Sequence, residues 1–204
     1  GVAPVETTGQ VRWFKRPTPG HTYMVSLDPS MGTGGDFAAI QIFELPTFEQ
    51  VGEWQHNMTP MNQQVRILQQ INKHIHDTII EKDASATPQI FYSMENNTIG
   101  EAALMRVMDI GEENIMGMFL SEPIRKGHRR KFRRGFNTTA KFKIDACTKF
   151  KELVESGKMK LNSQLLISEL KDFVATGLSY KAKPGQHDDL VSACLLMTRM
   201  MKVL

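Results

Sequence analysis

The 204-residue chain is 41% apolar and 23% charged, the balance of a globular domain long enough to bury a core. Its net charge of +3 is too small to name a partner, so the distribution of charge carries more than the total. No run of about 18 apolar residues and no charged-then-apolar leader occurs, which excludes a membrane-spanning helix and gives no secretory signal. Cys147 and Cys194 are far apart and form no CxxC pair, so neither a thiolate metal site nor a disulfide framework is expected. A reducing compartment is the simplest setting for them.

Residues 1–20, with VAPVETTGQ and KRPTPG, carry proline without a clear period and read as a linker or extended lead-in. The start on GVAPV rather than Met reads as a fragment of a longer protein. The folded domain is expected over 21–204. HTYMVSLDPSMG reads as a strand ending at Asp28, DFAAIQIFELP as a second and FEQVGEWQHNM as a third, together a meander. MNQQVRILQQINKHIHDTIIEK has apolar residues at helical spacing. TPQIFYSMENN is a fourth strand ending at Glu95, TIGEAALMRVMDIG a short helix and ENIMGMFL a fifth strand. TTAKFKIDACTKFKELVESGK is a helix stopped at Gly157, and LNSQLLISELKDFV another. ATGLSYKAKPGQ is hairpin-like, and HDDLVSACLLMTRMMKVL is the closing helix. A meander followed by alternating helices and strands implies an α/β fold, a mixed central sheet flanked by helices.

The acids form the chemical pattern. Alternation puts Met24, Ser26 and Asp28 on one face of the first strand, and Phe91, Ser93 and Glu95 on one face of the fourth. Both strands end in an acid with a serine two residues before it, at the carboxyl end where open α/β sheets bind ligands. A turn role for Asp28 before Pro29, and a helix-capping role for Glu95 with Asn97, are the ordinary alternatives. In the last helix Asp189 shares a face with Ala193, Leu196 and Met200 and should point inward; Asp188 should lie nearer solvent as a simple N-cap. An inward, unpaired carboxylate is costly unless a cation offsets it. Asp28, Glu95 and Asp189, with Asp188 as a further candidate ligand, would make an oxygen-only site suited to Mg²⁺ or Mn²⁺, and two such ions can drive phosphodiester hydrolysis. His187 reads as a loop residue near that site.

PSMGTGGDF lacks GxxxxGK[ST] and leads into a strand, so it is a turn beside Asp28 rather than a phosphate loop; Asp36 at its end could support the site. PIRKGHRRKFRRGFNTTAKFK is the most charged segment. Arg125, Lys126, Arg129, Arg130, Lys131, Arg133, Arg134, Lys141 and Lys143 are interleaved with Phe132 and Phe136, and no acid occurs between Glu122 and Asp145. That pattern fits a surface tracking a phosphate backbone better than a solvated tail.

LDPSMGTGGD, FYSMENNTIG, TTAKFKIDACTKFKELVESGKMKL and GQHDDLVSACLLM, in that order and spacing, resemble the nuclease domain of the large terminase subunit of tailed bacteriophages, of the T-even-like kind. The resemblance covers most of 21–204. It implies a ribonuclease H-like fold shared with resolvases and integrases, and metal-dependent cleavage of concatemeric double-stranded DNA during genome packaging. It implies Asp28, Glu95 and Asp189 as the catalytic acids, with Asp36 and Asp188 in support. It further implies a separate ATPase motor domain preceding residues 1–20, a phage portal and a small terminase subunit as partners, no membrane, and action in the host cell cytoplasm. A Holliday-junction resolvase-like nuclease and a non-catalytic DNA-binding module are the competing readings.

Overall fold

The computed structural model describes residues 1–123, 134–176, 179–182 and 187–204. Its centre is a mixed sheet of seven strands: β1 (Glu6–Thr8), β2 (Val11–Trp13), β3 (Thr22–Asp28), β4 (Ala38–Leu45), β5 (Glu49–His56), β6 (Gln89–Met94) and β7 (Met118–Phe119). They lie side by side in the order β1-β2-β5-β4-β3-β6-β7. β3 is the pivot, antiparallel to β4 on one side and parallel to β6 on the other. The parallel step requires a crossover, and α1 (Met61–Lys82) supplies it.

Two apolar layers cover the sheet. Tyr23, Val25 and Leu27 of β3 and Ile90, Tyr92 and Met94 of β6 face α1 and α2 (Thr98–Ile110), where Val65, Leu68, Ile75 and Val107 close one core. Met24 of β3 and Ala39 and Phe43 of β4 face the other way, into a second core. That core is completed by α3 (Ala140–Glu155), α4 (Gln164–Asp172) and α5 (Asp189–Met201). The alternation expected from sequence is therefore the alternation between two cores. A hairpin of β8 (Phe173–Thr176) and β9 (Ser179–Ala182) stands outside the main sheet, as the hairpin-like reading has it.

Two expectations need correction. The lead-in assigned to residues 1–20 is folded: β1 and β2 form a hairpin whose second strand pairs with β5. Trp13 is 1% exposed and belongs to the core under α1. Its short strands lack the length over which an alternating pattern declares itself, which is why proline dominated the reading. The fifth expected strand, ENIMGMFL, shrinks to Met118–Phe119 behind a 3₁₀ turn at Glu112–Asn114. Gly117 lies at φ +101° against β6, where an added Cβ would stand 2.7 Å from the Ile90 carbonyl oxygen, so the chain turns there instead of pairing.

A buried polar cluster fastens α4 to the face of the sheet that carries the second core. Glu53 accepts hydrogen bonds from Gln41 (2.9 Å), Gln50 (3.0 Å) and the Ser163 hydroxyl (2.6 Å), and pairs with Arg12 of β2. Ser163 also caps α4, accepting from Leu166 N–H at 3.1 Å. The hairpin thus contributes both apolar and ionic contacts. Trp13→Ala should destabilise the domain by about 3–5 kcal/mol in urea unfolding, the cost of emptying a core aromatic site. A change within about 0.5 kcal/mol, as for a surface position, would return residues 1–20 to the status of a lead-in.

Candidate functional site

The parallel register of β3 and β6 sets the site. Ser26 is opposite Ser93 and Leu27 opposite Met94, and Glu95 N–H donates to the Leu27 carbonyl at 3.3 Å. Asp28 and Glu95 therefore leave the sheet side by side, at its carboxyl end. The serines that precede them are not merely small. Ser26 is fully buried and donates to the Ala193 carbonyl at 2.7 Å, tying α5 to β3 one turn after Asp189. Ser93 donates to the Leu120 carbonyl at 2.6 Å, anchoring the segment after β7.

α5 begins at Asp189, and Asp188 occupies its N-cap position without making a capping bond. The Asp188 carboxylate accepts instead from Ala182 N–H at 3.4 Å, so the reading of Asp188 as a simple cap is corrected. Capping comes from another helix. Glu169 of α4 accepts from Leu190 N–H at 3.0 Å and Val191 N–H at 3.1 Å, the donors that an N-cap side chain would otherwise take. Sequence reading passed over Glu169, although it lies three residues after Leu166 on the apolar stripe of its helix. Glu95 does not cap α2 either. Asn97 does, accepting from Gly100 N–H at 2.8 Å, and both Glu95 oxygens accept from Thr138.

The acids disturb one another. The Asp28 carboxyl is pushed well above the carboxylate range, first by loss of hydration and then by Glu95, Asp189, Asp188 and Asp36. Asp189 is pushed up to about 6 by burial and by Asp188 and Asp36, against the pull of His187. Glu95 is raised by burial, which outweighs its Thr138 hydrogen bonds and the charge of Arg199. Burial, with Asp189 and Asp188 adding to it, lifts Glu169 to about 8 despite its backbone donors.

Asp189 is 7% exposed, and its Oδ2 has no hydrogen-bond partner among the described residues. His187 Nδ1 stands 3.8 Å from that oxygen, and the ring packs edge-on against Phe37. An orphaned buried carboxylate oxygen beside further acids fits a hard divalent cation. Among the described residues, however, no three His, Cys, Asp or Glu side chains stand close enough together to ligate one ion. Asp36 is exposed at the end of the glycine-rich turn. That turn is docked by the buried Gln64 of α1, whose amide donates to the carbonyls of Ser30 and Thr59, both at 2.8 Å. Gly32 (φ +73°) permits the approach, since a Cβ there would stand 2.1 Å from the Thr59 carbonyl oxygen.

Of the basic residues singled out from sequence, Arg125, Lys126, Arg129, Arg130, Lys131 and Arg133 lie outside the described residues. Arg134 is engaged with the protein, pairing with Glu112 and lying 4.7 Å above the Phe119 ring. Lys141 is exposed and Lys143 half-buried in the first turn of α3, with Lys143 Nζ 5.9 Å from the Phe173 ring centre.

Solved structures of terminase nucleases share this shape. The fold is similar to the large terminase nuclease of the thermophilic phage G20c with bound magnesium, at TM-score 0.69 and 16% identity over 97% of this chain and 90% of that one. It is similar to the large terminase nuclease domain of Thermus phage P74-26, at TM-score 0.65 and 17% identity over 96% and 87%. A manganese-soaked human cytomegalovirus terminase nuclease domain follows at TM-score 0.56 and 14% identity, over 88% and 82%. The ribonuclease H-like fold is thus that of the structure. The terminase RNaseH-like domain family matches residues 25–200. That match runs from the middle of β3 to the last turn of α5 and takes in every element that supplies an acid; the chain belongs to this family.

Proposed function

We propose that the chain is the metal-dependent endonuclease domain of a viral DNA-packaging terminase, cleaving concatemeric double-stranded DNA by two-metal phosphodiester hydrolysis. The observation that carries this reading is the buried Asp189 Oδ2, to which no described group donates a hydrogen bond, on a helix whose start faces a sheet end that already holds two acids. Asp28, Glu95 and Asp189 would hold Mg²⁺ or Mn²⁺, with Asp188 as an additional ligand and Asp36 and His187 in support. Bound divalent ions in such a site activate a water and stabilise the leaving oxygen. The chain's own contribution is to gather the acids from separate elements, to keep their carboxyls poorly hydrated, and to lead the polyanion across them. The basic stretch from Arg125 to Lys143 is the proposed DNA-binding surface, with Lys141 and Lys143 at a helix N-terminus that favours phosphate. In the whole protein an ATPase motor domain, the portal and the small terminase subunit would be partners, and the host cytoplasm the place of action. The T-even-like assignment belongs to this proposal as well.

One observation favours a non-catalytic DNA-binding module: no three of the described ligand-type side chains converge on a single point. Calorimetry with Mg²⁺ and Mn²⁺ decides between the readings, because a module whose acids are only structural takes up no ion.

Asp28→Asn, Glu95→Gln and Asp189→Asn should each lower plasmid cleavage at least about 100-fold. Loss of a group merely supporting a metal ligand costs about 10–100-fold, and loss of a ligand costs no less. Cleavage at the wild-type rate by all of these variants would remove the site. Charge reversal at Lys141 and Lys143 should weaken DNA binding and lower the salt slope by about 0.9 for each phosphate no longer neutralised; an unchanged slope removes them from the interface.

Proton linkage supplies another test. Asp189 rises from 3.8 to about 6 on folding, and Glu169 from 4.5 to about 8. A raised carboxyl stabilises the fold while protonated, and that contribution is lost as pH climbs through the folded value. In chelator, the melting temperature should fall as pH rises from about 4 toward about 8. Mg²⁺ should raise the melting temperature more at the alkaline end, where no proton has to be displaced from the acids. Equal stabilisation by Mg²⁺ across that range would contradict a cation held by these carboxylates.

A further inference from the structure

Glu95 is held by groups that no reading of the acids alone brings in. Its Oε1 accepts from Thr138 N–H at 2.8 Å and its Oε2 from the Thr138 hydroxyl at 2.6 Å. Each carboxylate oxygen accepts at two positions, so both keep one free for a cation while the group is fixed in orientation. The hydroxyl has a definite polarity. Arg199 Nη1 lies 3.3 Å from Thr138 Oγ1, and a guanidinium can only donate. Thr138 Oγ1 therefore accepts from Arg199 and gives its single proton to Glu95. Capping of α3 does not need this hydroxyl, because the neighbouring Thr139 accepts from Phe142 N–H.

Arg199 is nine-tenths buried on α5 and spans the chain on both sides of the run from Arg125 to Arg134. Its Nη2 donates to Glu122 Oε2 at 2.8 Å, before that run, and its Nη1 donates to the Asn137 carbonyl at 2.8 Å, after it. The Phe136 and Phe142 rings lie 5.1 and 4.5 Å from the guanidinium carbon. The returning chain is stitched to the end of β6. Asn96 N–H donates to the Phe136 carbonyl at 2.8 Å, Phe136 N–H to the Met94 carbonyl at 3.2 Å, and the Asn96 amide to the Arg134 carbonyl at 2.9 Å. Gly135 (φ +82°) allows this, since a Cβ there would meet the Met94 carbonyl oxygen at 2.6 Å.

We infer that Thr138 is a positioning residue that orients the Glu95 carboxylate for the cation, and that Arg199 holds Thr138 in place by joining the two flanks of the run from Arg125 to Arg134. This rests on the proposed role of Glu95 as a metal ligand. The segment expected to bind DNA is then tied at its carboxyl-terminal side, by a short hydrogen-bonded path, to one of the metal-binding acids.

The test measures Mg²⁺ binding by calorimetry and plasmid cleavage against Mg²⁺ concentration for the 204-residue chain and its variants, with thermal melts to fix a temperature at which each is folded; the half-point of binding should move with that of cleavage. Thr138→Val keeps the shape and removes the proton; it should raise the Mg²⁺ needed for half-maximal cleavage about 10- to 100-fold. Thr138→Ser restores the hydroxyl and should return that value to the wild-type range, which recovery of packing alone would not do. Arg199→Lys keeps a charge for Glu122 but removes the fork that reaches Asn137 and Thr138, and should shift the Mg²⁺ requirement in the same direction. Identical Mg²⁺ curves for wild type, Thr138→Val and Arg199→Lys, with Glu95→Gln inactive, overturn the inference and leave the proposed function standing. Wild-type cleavage by Glu95→Gln overturns the proposed role of Glu95 and the inference with it.

Discussion

The parallel pairing of β3 with β6 is the constraint on which the rest depends. It is a backbone fact, set by Leu27 opposite Met94, and it delivers Asp28 and Glu95 to the same end of the sheet. Without the α1 crossover that makes the pairing parallel, the two acids would lie at opposite ends of neighbouring strands. The hydrophobic effect drives that arrangement, because the alternating residues of both strands fill a core on each face. The acids do not drive it. Burial raises the carboxyls of Asp28, Glu95 and Asp189, and neighbouring site acids add to it at Asp28 and Asp189, so gathering them is unfavourable.

α5 brings its acid to this place through two polar links, each made by a residue of another element. Ser26 holds the helix to β3 through the Ala193 carbonyl, and Glu169 closes the helix's amino end. Because Glu169 supplies the cap, Asp188 and Asp189 are released from that duty. Two adjacent acids can therefore open a buried helix, because its amino end is capped from α4, and α4 is in turn fastened to the sheet through Ser163 and Glu53.

Much of this was legible in the sequence because it follows from period. Strand alternation separated Ser26 and Asp28 from Val25 and Leu27, and helical spacing turned Asp189 inward while leaving Asp188 nearer solvent. What could not be read were partners chosen across long separations. Glu169 bonds to residues 21 and 22 positions away, Thr138 reaches Glu95 across 43 and Arg199 reaches Glu122 across 77. No local pattern encodes such pairs, since each depends on how helices dock on the sheet. The β1–β2 hairpin was missed for another reason: its strands are too short for alternation to outweigh nearby proline.

The same distinction separates the two groups of charges. The strand register brings Asp28 and Glu95 together, the side-chain links of Ser26 and Glu169 add Asp189, and no described group donates a hydrogen bond to Asp189 Oδ2. The basic residues that flank the site are engaged inside the protein where they touch it: Arg134 on Glu112, Arg199 on Glu122. A buried guanidinium already paired to a carboxylate cannot also neutralise Asp28 and Asp189. What the described residues leave without a hydrogen bond at Asp189 Oδ2 is what the proposed divalent ion would supply, since oxygen ligands suit such an ion.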